Sequence, residues 1–152
     1  MPVRLHEVVS HLDTVLEVDR FRDYGPNGLQ VEAKLEVSKV VTGVSANLAL
    51  FERALELDAD LIVAHHGLIW GGGIGRVTGT VARRLSFLLG NGISLAAYHL
   101  PLDKHDSLGN NAGLADAIGL GAERGAFGDV RGQALGLSGS WPEPVARDEA
   151  LK

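Results

Sequence analysis

Residues 59–73 read ADLIVAHHGLIWGGG, and this stretch indicates both the fold and the chemistry of the protein. It begins as a continuously apolar run, passes directly into His65 and His66, and then becomes rich in glycine. A continuously apolar strand is typical of a parallel sheet whose two faces are both covered. The stretch therefore predicts a buried strand that ends in two adjacent histidines at the edge of a sheet.

The flanking sequence predicts alternating helices and strands. Apolar residues recur at helical spacing over four segments, 3–17, 47–57, 80–89 and 107–120. Strands are predicted at 37–46, 59–65 and 93–99, whereas the turn-forming pairs Gly-Pro and Asn-Gly in RDYGPNGLQVE (22–32) predict a loop. This alternation predicts an α/β fold with a mainly parallel sheet and helices on both faces.

The character of the sequence changes near residue 121. Beyond it the chain has many glycines, short apolar pieces and no clear helical face, and its last residues carry no apolar anchor. We therefore predict an α/β domain over residues 1–120, and the start of a second domain or an incomplete C-terminal region over 121–152. We expect the chain to be a truncated version of a longer protein.

Composition excludes several classes of function. The 152 residues carry a formal net charge of -5 and no cysteine, which excludes disulfides, thiolate metal ligands and cysteine nucleophiles. No basic run indicates a nucleic-acid groove. No apolar stretch approaches the roughly 18 residues of a membrane helix, and the N-terminus does not resemble a signal peptide. We expect a cytoplasmic protein.

Histidines end two of the predicted strands. His65 and His66 close the strand at 59–65, His99 closes the strand at 93–99, and Asp103 lies four residues beyond His99. In open α/β sheets, ligands bind outside the carboxyl ends of the strands. If the two strands are neighbours, three imidazoles and a carboxylate meet at one edge, a set that suits zinc, manganese, iron or nickel.

The adjacency of His65 and His66 favours two ions over one. Successive side chains of a regular strand point to opposite faces, so adjacent histidines do not easily bind the same ion. Each could bind its own ion if the backbone turns at His66, which Gly67 permits. Two ions roughly 3.5–4 Å apart form the two-metal arrangement of many hydrolases.

An ordinary structural role is the alternative for each of these histidines. A histidine at a strand end commonly makes hydrogen bonds at the protein surface and binds no metal. His6, His11 and His105 are predicted to be solvated. The glycine-rich stretch after Trp70 lacks the Lys-Ser/Thr of a phosphate-binding loop, so we interpret it as a flexible connection.

Three blocks of sequence resemble the Nif-three-like dinuclear metal-centre proteins, many of which are called type 2 homologues of GTP cyclohydrolase I. The blocks are DYGPNGLQVE, VTGVSANLALFERALELDADLIVAHHGLIW and AAYHLPLDKHDSLGNNAGLADAIGL. The resemblance implies two domains, a toroidal homohexamer and two divalent metal ions per subunit. It also implies that His65, His66 and Asp103 are metal ligands, and that His99 lies behind the ligands or acts as a proton donor.

The sequence departs from the family pattern in one respect. The family completes its metal centre with a His-x-x-x-Glu pair near the C-terminus, but no histidine follows His105 here, and Val145 stands four residues before Glu149. Either the chain is a truncated version, or its second half is supplied elsewhere, or the metal site is degenerate. Two functional hypotheses remain open. The first is a metal-dependent hydrolase that acts on a nucleotide or a related small molecule. The second is a non-catalytic metal-binding, regulatory or partner-binding hexamer with a degenerate site.

Overall fold

The computed structural model of the protein describes residues 1–150, and its contacts divide the chain after His99. Met1–His99 form one unit and Leu100–Lys152 the second, of which residues 151 and 152 lie outside the described part. The domain limits predicted from sequence, 1–120 and 121–152, stay a prediction. Among residues 1–150, no helix has the length and apolar character needed to cross a membrane.

The first unit contains six strands and three α-helices. Their order is β1 (Val3–Arg4), α1 (Leu5–Val15), β2 (Gly28–Val31), β3 (Glu36–Val37), β4 (Val40–Ser45), α2 (Leu48–Glu56), β5 (Leu61–His66), α3 (Gly79–Gly90) and β6 (Ser94–Ala97). A short 3-10 helix at Val18–Arg20 follows α1.

The central sheet has the strand order β2-β6-β5-β4, with β4, β5 and β6 parallel to one another. The predicted α/β class with a mainly parallel sheet is confirmed. Strand β5, which ends in His65 and His66, and strand β6, which ends two residues before His99, are direct neighbours. Val63 lies opposite Ala96, and Ala64 lies opposite Ala97. Their carboxyl ends therefore meet at the same edge of the sheet.

The prediction of a continuous loop at 22–32 was wrong for Gly28–Val31, which forms the edge strand β2. This strand pairs antiparallel with β6, placing Gly28 opposite Ala97 and Leu29 opposite Ala96. A four-residue strand whose first residue belongs to a turn-forming pair has too little pattern of its own to be predicted. The pairing with β6 stabilises β2, and only the tertiary structure reveals that pairing.

Helices cover both faces of this sheet. Phe51 of α2 and Leu88 of α3 pack in one core cluster with Ile62 and Leu95 of the sheet. Successive side chains alternate between the two faces of a sheet, and Tyr98 lies three residues after Leu95, so the two side chains point to opposite faces. On its face, the hydroxyl of Tyr98 contacts α1. Asn47 caps α2, because its side chain accepts a hydrogen bond of 3.0 Å from the amide of Leu50.

The second unit is made of short elements. They are α4 (Leu100–Lys104), α5 (Asn110–Ala117), β7 (Arg124–Val130), β8 (Gln133–Gly139) and α6 (Arg147–Ala150). The strands β7 and β8 form an antiparallel hairpin with Val130 opposite Gln133. Its two turn residues, Arg131 and Gly132, both have positive φ angles, as a tight hairpin turn requires.

Candidate metal centre

The ends of β5 and β6 bring three histidines together. His65 and His66 are the last residues of β5, and His99 follows the end of its neighbour β6. The ring centroids lie 4.5 Å apart for His65 and His66, 5.0 Å for His65 and His99, and 5.8 Å for His66 and His99. The structure thus gathers the three imidazoles that the sequence placed at strand ends.

Each of the three rings is held through its Nδ1 atom. His65 Nδ1 lies 3.0 Å from the carbonyl oxygen of Tyr98, and His66 Nδ1 lies 3.0 Å from the hydroxyl of Ser45 on β4. His99 Nδ1 lies 2.8 Å from a carboxylate oxygen of Asp23. A histidine that binds a metal commonly uses one ring nitrogen for such an orienting hydrogen bond and the other for the ion.

The partners of Nδ1 determine the tautomer of two rings. A carbonyl oxygen can only accept a hydrogen bond, so His65 carries its proton on Nδ1 and, when neutral, has its lone pair on Nε2. An oxygen of the Asp23 side chain accepts a hydrogen bond from His99 Nδ1 in the same way, which gives His99 the same tautomer. Both rings therefore present Nε2 as the atom that can bind a metal.

The spacing of the ring nitrogens fits a metal site. One ligand atom from each histidine lies within 4.8 Å of the other two, and among residues 1–150 no other group of three or more His, Asp or Glu side chains is this close. Metal bonds to imidazole are about 2.0–2.1 Å long. The donor set is compatible with one shared ion and with two neighbouring ions.

The Asp23 carboxylate connects His99 to the loop before β2. Its side chain is 2% exposed, against 22% for His99, and its second oxygen accepts a hydrogen bond of 3.0 Å from the Asn27 side-chain amide. Asn27 in turn accepts a hydrogen bond of 2.7 Å from the backbone amide of His99. Asp23 and Asn27 together fix both the backbone and the ring of His99.

Gln30 of β2 fixes the turn that follows His66. Its side-chain oxygen accepts hydrogen bonds of 2.8 Å and 3.0 Å from the backbone amides of Leu68 and Ile69, and its nitrogen donates to Pro26. The amide lies so close to Gly67 that any Cβ there would collide with it. A side chain at position 67 would therefore displace Gln30 from these hydrogen bonds, which gives Gly67 a role in addition to the turn predicted from the sequence.

Two aromatic side chains flank His99. Trp70 packs edge-on against it with ring centroids 5.1 Å apart, and Tyr24 lies at 6.2 Å. The indole Nε1 donates a hydrogen bond of 2.9 Å to the carbonyl oxygen of Gly67, which fixes Trp70 relative to the histidines. Both side chains are substantially exposed, at 39% for Trp70 and 48% for Tyr24.

The residue before His99 makes a different kind of contact. Tyr98 is fully buried, and its hydroxyl donates a hydrogen bond of 2.9 Å to a carboxylate oxygen of Asp13 on α1. Burial, followed by the neighbouring Asp13 carboxylate, raises the pKa of the Tyr98 phenol far above its usual value. Tyr98 thus stays neutral and ties α1 to the sheet, while its carbonyl oxygen orients His65.

Asp103 and His105 belong to the second unit. Asp103 lies on α4 and accepts a hydrogen bond of 2.9 Å from the Asn110 side chain. The role of Asp103 as a metal ligand stays a prediction. His105 accepts hydrogen bonds at Nδ1 from the backbone amides of Ser107 and Leu108, which is a structural role in the turn before α5.

A groove along α1 has a volume of about 900 Å³ and is larger than the cavity beside His65 and His99. Its lining includes His6, Glu7 and His11, and His6 pairs with the exposed carboxylate of Glu32 at 3.1 Å. These histidines do not belong to the three-histidine cluster. The chemistry of the donor atoms therefore favours the smaller cavity beside His65 and His99, which Gln30 and Trp70 also line.

Sequence reasoning located the three histidines but missed the residues that orient them. Asp23, Asn27 and Gln30 all lie in the segment predicted as a loop. One feature of the sequence could have indicated a role for this segment. The three residues lie within DYGPNGLQVE, one of the three blocks that resemble the family. Its polar residues are explained by hydrogen bonds to the ends of β5 and β6.

Comparison with known proteins identifies relatives over nearly the whole chain. The sequence profile of the Duf34/NIF3 (NGG1p interacting factor 3) family matches residues 3–152. A protein of Pseudomonas aeruginosa named GTP cyclohydrolase 1 type 2 homolog is 44% identical over 145 residues, which are 95% of this chain and 57% of that protein. A protein of the same name from Archaeoglobus fulgidus is 44% identical over 147 residues, 97% of this chain and 59% of that one.

A solved structure agrees with these relatives. The crystal structure of TTHA1606 from Thermus thermophilus is similar with a TM-score of 0.75 and 44% sequence identity, covering 79% of this chain and 50% of that one. The chain thus spans little more than half the length of the curated relatives it matches.

Proposed function

This chain belongs to the Duf34/NIF3 family, and from that premise we propose that it binds divalent metal ions and uses them in a hydrolytic reaction. The observation that carries the proposal is the cluster of His65, His66 and His99, whose ligand atoms lie within 4.8 Å of one another. Each ring is oriented through Nδ1 by a defined partner, as in metal sites whose histidines are positioned before the ion binds.

We assign a role to each of the residues at this site. His65 and His66 hold the ions, and Asp103 adds a negatively charged oxygen ligand. His99 serves either as a third imidazole ligand or as a proton donor, and its hydrogen bond to Asp23 suits both roles because it fixes the orientation of the ring. A divalent ion held by these residues would polarise the group under attack and lower the pKa of its bound water to near neutrality.

The substrate class follows from the relatives. Proteins named GTP cyclohydrolase 1 type 2 homolog match most of this chain, so we propose a nucleotide or a related small molecule as the substrate. A cyclohydrolase-type reaction would add water to an imidazole ring carbon of a purine. Two ions per subunit, drawn from zinc, manganese, iron or nickel, a toroidal homohexamer and a cytoplasmic location belong to the same proposal.

The second candidate is a metal-binding protein without turnover. The cluster of His65, His66 and His99 supports this candidate as well, because three oriented imidazoles can bind a metal ion whether or not a reaction follows. A turnover screen with added manganese or zinc separates the two candidates. Metal-dependent hydrolysis supports the enzyme, and tight metal binding without hydrolysis supports the second candidate.

The test of the metal site compares Asp103→Ala with His105→Ala. Asp103→Ala is expected to weaken metal binding by on the order of tenfold or more, because even residues behind the ligands contribute about 10- to 100-fold. His105→Ala should leave metal affinity near that of the unchanged protein, because His105 accepts hydrogen bonds from its own turn. Metal content is measured by elemental analysis after dialysis, and affinity by titration calorimetry.

Circular dichroism of both variants provides the folding control. Equal metal affinity in two folded variants would contradict the assignment of Asp103. Loss of binding in both, with intact folding, would instead place His105 in the site.

A further inference from the structure

We propose that Trp70 is a stacking platform for a planar heteroaromatic ring of the substrate, beside the histidine cluster. This inference rests on the proposed function, since it names the part of a nucleotide that the site would recognise. Trp70 directly precedes the glycine segment 71–73, and its indole lies within 5.1 Å of His99 and 6.2 Å of His66, measured between ring centroids.

The indole is held in place by three features that do not involve a ligand. Its Nε1 donates to the carbonyl oxygen of Gly67, which satisfies the one polar atom of the side chain. The next residue, Gly71, donates a backbone hydrogen bond of 2.6 Å to the carbonyl oxygen of Tyr24. Gly25 packs against the indole so closely that a Cβ there would lie 3.3 Å from Trp70 Cε3 and 2.7 Å from the Ile69 oxygen.

Despite these constraints, 39% of the Trp70 surface remains exposed. A fixed aromatic side chain loses little conformational entropy when a ring stacks on it, so the exposed surface is suited to binding. A Cβ added at Gly71, Gly72 or Gly73 would meet no other atom within 4 Å. These three glycines therefore place no side chain beside the indole that would hinder the approach of a ligand.

The position of Trp70 also suits the chemistry of the site. A ring stacked on the indole lies next to the imidazoles, where a bound ion would act on it. Stacking of a base on an aromatic side chain contributes about 1–3 kcal/mol, which corresponds to roughly 5- to 150-fold in affinity. Stacking tolerates many ring types, because every base has a π face. Trp70 would therefore select planar rings as a class.

The experiment uses the full chain with Trp141→Phe, which leaves Trp70 as the reporter because the sequence has two tryptophans. Guanosine is the probe and ribose 5-phosphate the non-aromatic control, each with and without added manganese. We expect guanosine to quench Trp70 fluorescence saturably and ribose 5-phosphate to leave it unchanged. Absence of quenching by guanosine, or equal binding of ribose 5-phosphate, overturns the proposal.

Two variants separate stacking from a structural role, with guanosine affinity measured by equilibrium dialysis. Trp70→Ala should lose roughly 5- to 150-fold, whereas Trp70→Phe, which retains a ring but not Nε1, should lose much less. If Trp70 acts only through its hydrogen bond to Gly67, the two variants lose affinity equally, and the proposal is wrong. Thermal unfolding shows whether each variant folds.

Metal content, measured by elemental analysis on the same samples, tests the proposed function separately. Metal retained without guanosine binding overturns the role of Trp70 alone. Guanosine binding that depends on Trp70 in a protein that retains no metal supports the platform and overturns the metal-dependent reaction.

Discussion

Tyr98 and His99 are adjacent in sequence, and each meets an aspartate, yet the two sides of the sheet use these pairs differently. On one side the fully buried Tyr98 donates a hydrogen bond from its hydroxyl to a carboxylate oxygen of Asp13 on α1. On the other side the His99 ring meets Asp23 next to two further histidines, and 22% of the His99 side chain remains exposed. The first pair attaches a helix to the sheet, and the second orients a ring that faces the candidate metal site.

This difference shows how one strand end can serve stability and chemistry at once. Successive side chains alternate between the faces of a sheet, so a change at Tyr98 and a change at His99 affect different surroundings. The comparison predicts that variants on the Tyr98 side change the free energy of unfolding, whereas variants on the His99 side change metal affinity. Three experiments test this difference between the two sides.

The largest expected effect is on stability. Tyr98→Ala removes a fully buried aromatic side chain and leaves a cavity, so the free energy of unfolding of the metal-free protein should fall by about 3–5 kcal/mol. Tyr24→Ala is the matched control, because Tyr24 is 48% exposed and surface changes usually stay within about 0.5 kcal/mol. Urea unfolding measures both. Similar losses in the two variants would show that Tyr98 does not anchor the sheet.

The next effect is on metal affinity. Asp23→Asn should weaken metal binding about 10- to 100-fold, because the neutral amide no longer fixes the His99 tautomer and meets the Asn27 donor unfavourably. Asp13→Asn, the same change on the Tyr98 side, should lower stability and leave metal affinity unchanged. Titration calorimetry with zinc compares the two. A matching loss of affinity in Asp13→Asn would remove the distinction between the two sides.

The smallest effect is a dependence of stability on alkaline pH. The pKa of Tyr98 is raised in the folded protein, so above about pH 10 the unfolded chain loses the phenol proton while the folded chain keeps it. The unfolded state then binds fewer protons, and the free energy of unfolding falls as pH rises, by about 1.4 kcal/mol per pH unit. Tyr98→Phe should lack this contribution.

Denaturant unfolding of the metal-free protein between pH 9 and 11 measures how the free energy of unfolding changes with pH. This range brackets the ordinary phenol pKa of about 10. An unchanged slope in a folded Tyr98→Phe variant would mean that burial and the Asp13 carboxylate together do not keep the phenol neutral.

The sequence predicted the parallel part of the fold because β4, β5 and β6 are apolar runs bounded by helices with clear periodicity. It failed at Gly28–Val31, where a short edge strand depends on pairing with residues far along the chain. The same physical reason explains what was missed in the site. His99 and Asp23 are separated by 76 positions, and Leu68 and Gln30 by 38, so their hydrogen bonds leave no local pattern.

The histidines were predictable because the direction of a parallel strand fixes where its last residues lie. His65 and His66 needed only the apolar run before them, and His99 needed only the next strand. The contact between the rings of His65 and His66 was not predictable, because alternation places adjacent side chains on opposite faces of a strand. Their ring centroids nevertheless lie 4.5 Å apart where β5 ends. At the end of a strand, side chains no longer have to alternate strictly between the two faces of the sheet.

The placement of Asp23, Asn27 and Gln30 just before and within β2 has a consequence for local unfolding. If the edge strand β2 detaches from β6, the hydrogen bonds to His99 and to the turn after His66 break with it. An ion that binds only the ordered cluster would therefore add its binding free energy to the opening of β2, by RT ln(1 + [metal]/Kd). Metal concentration would then set the rate at which the backbone amides of this edge exchange with solvent.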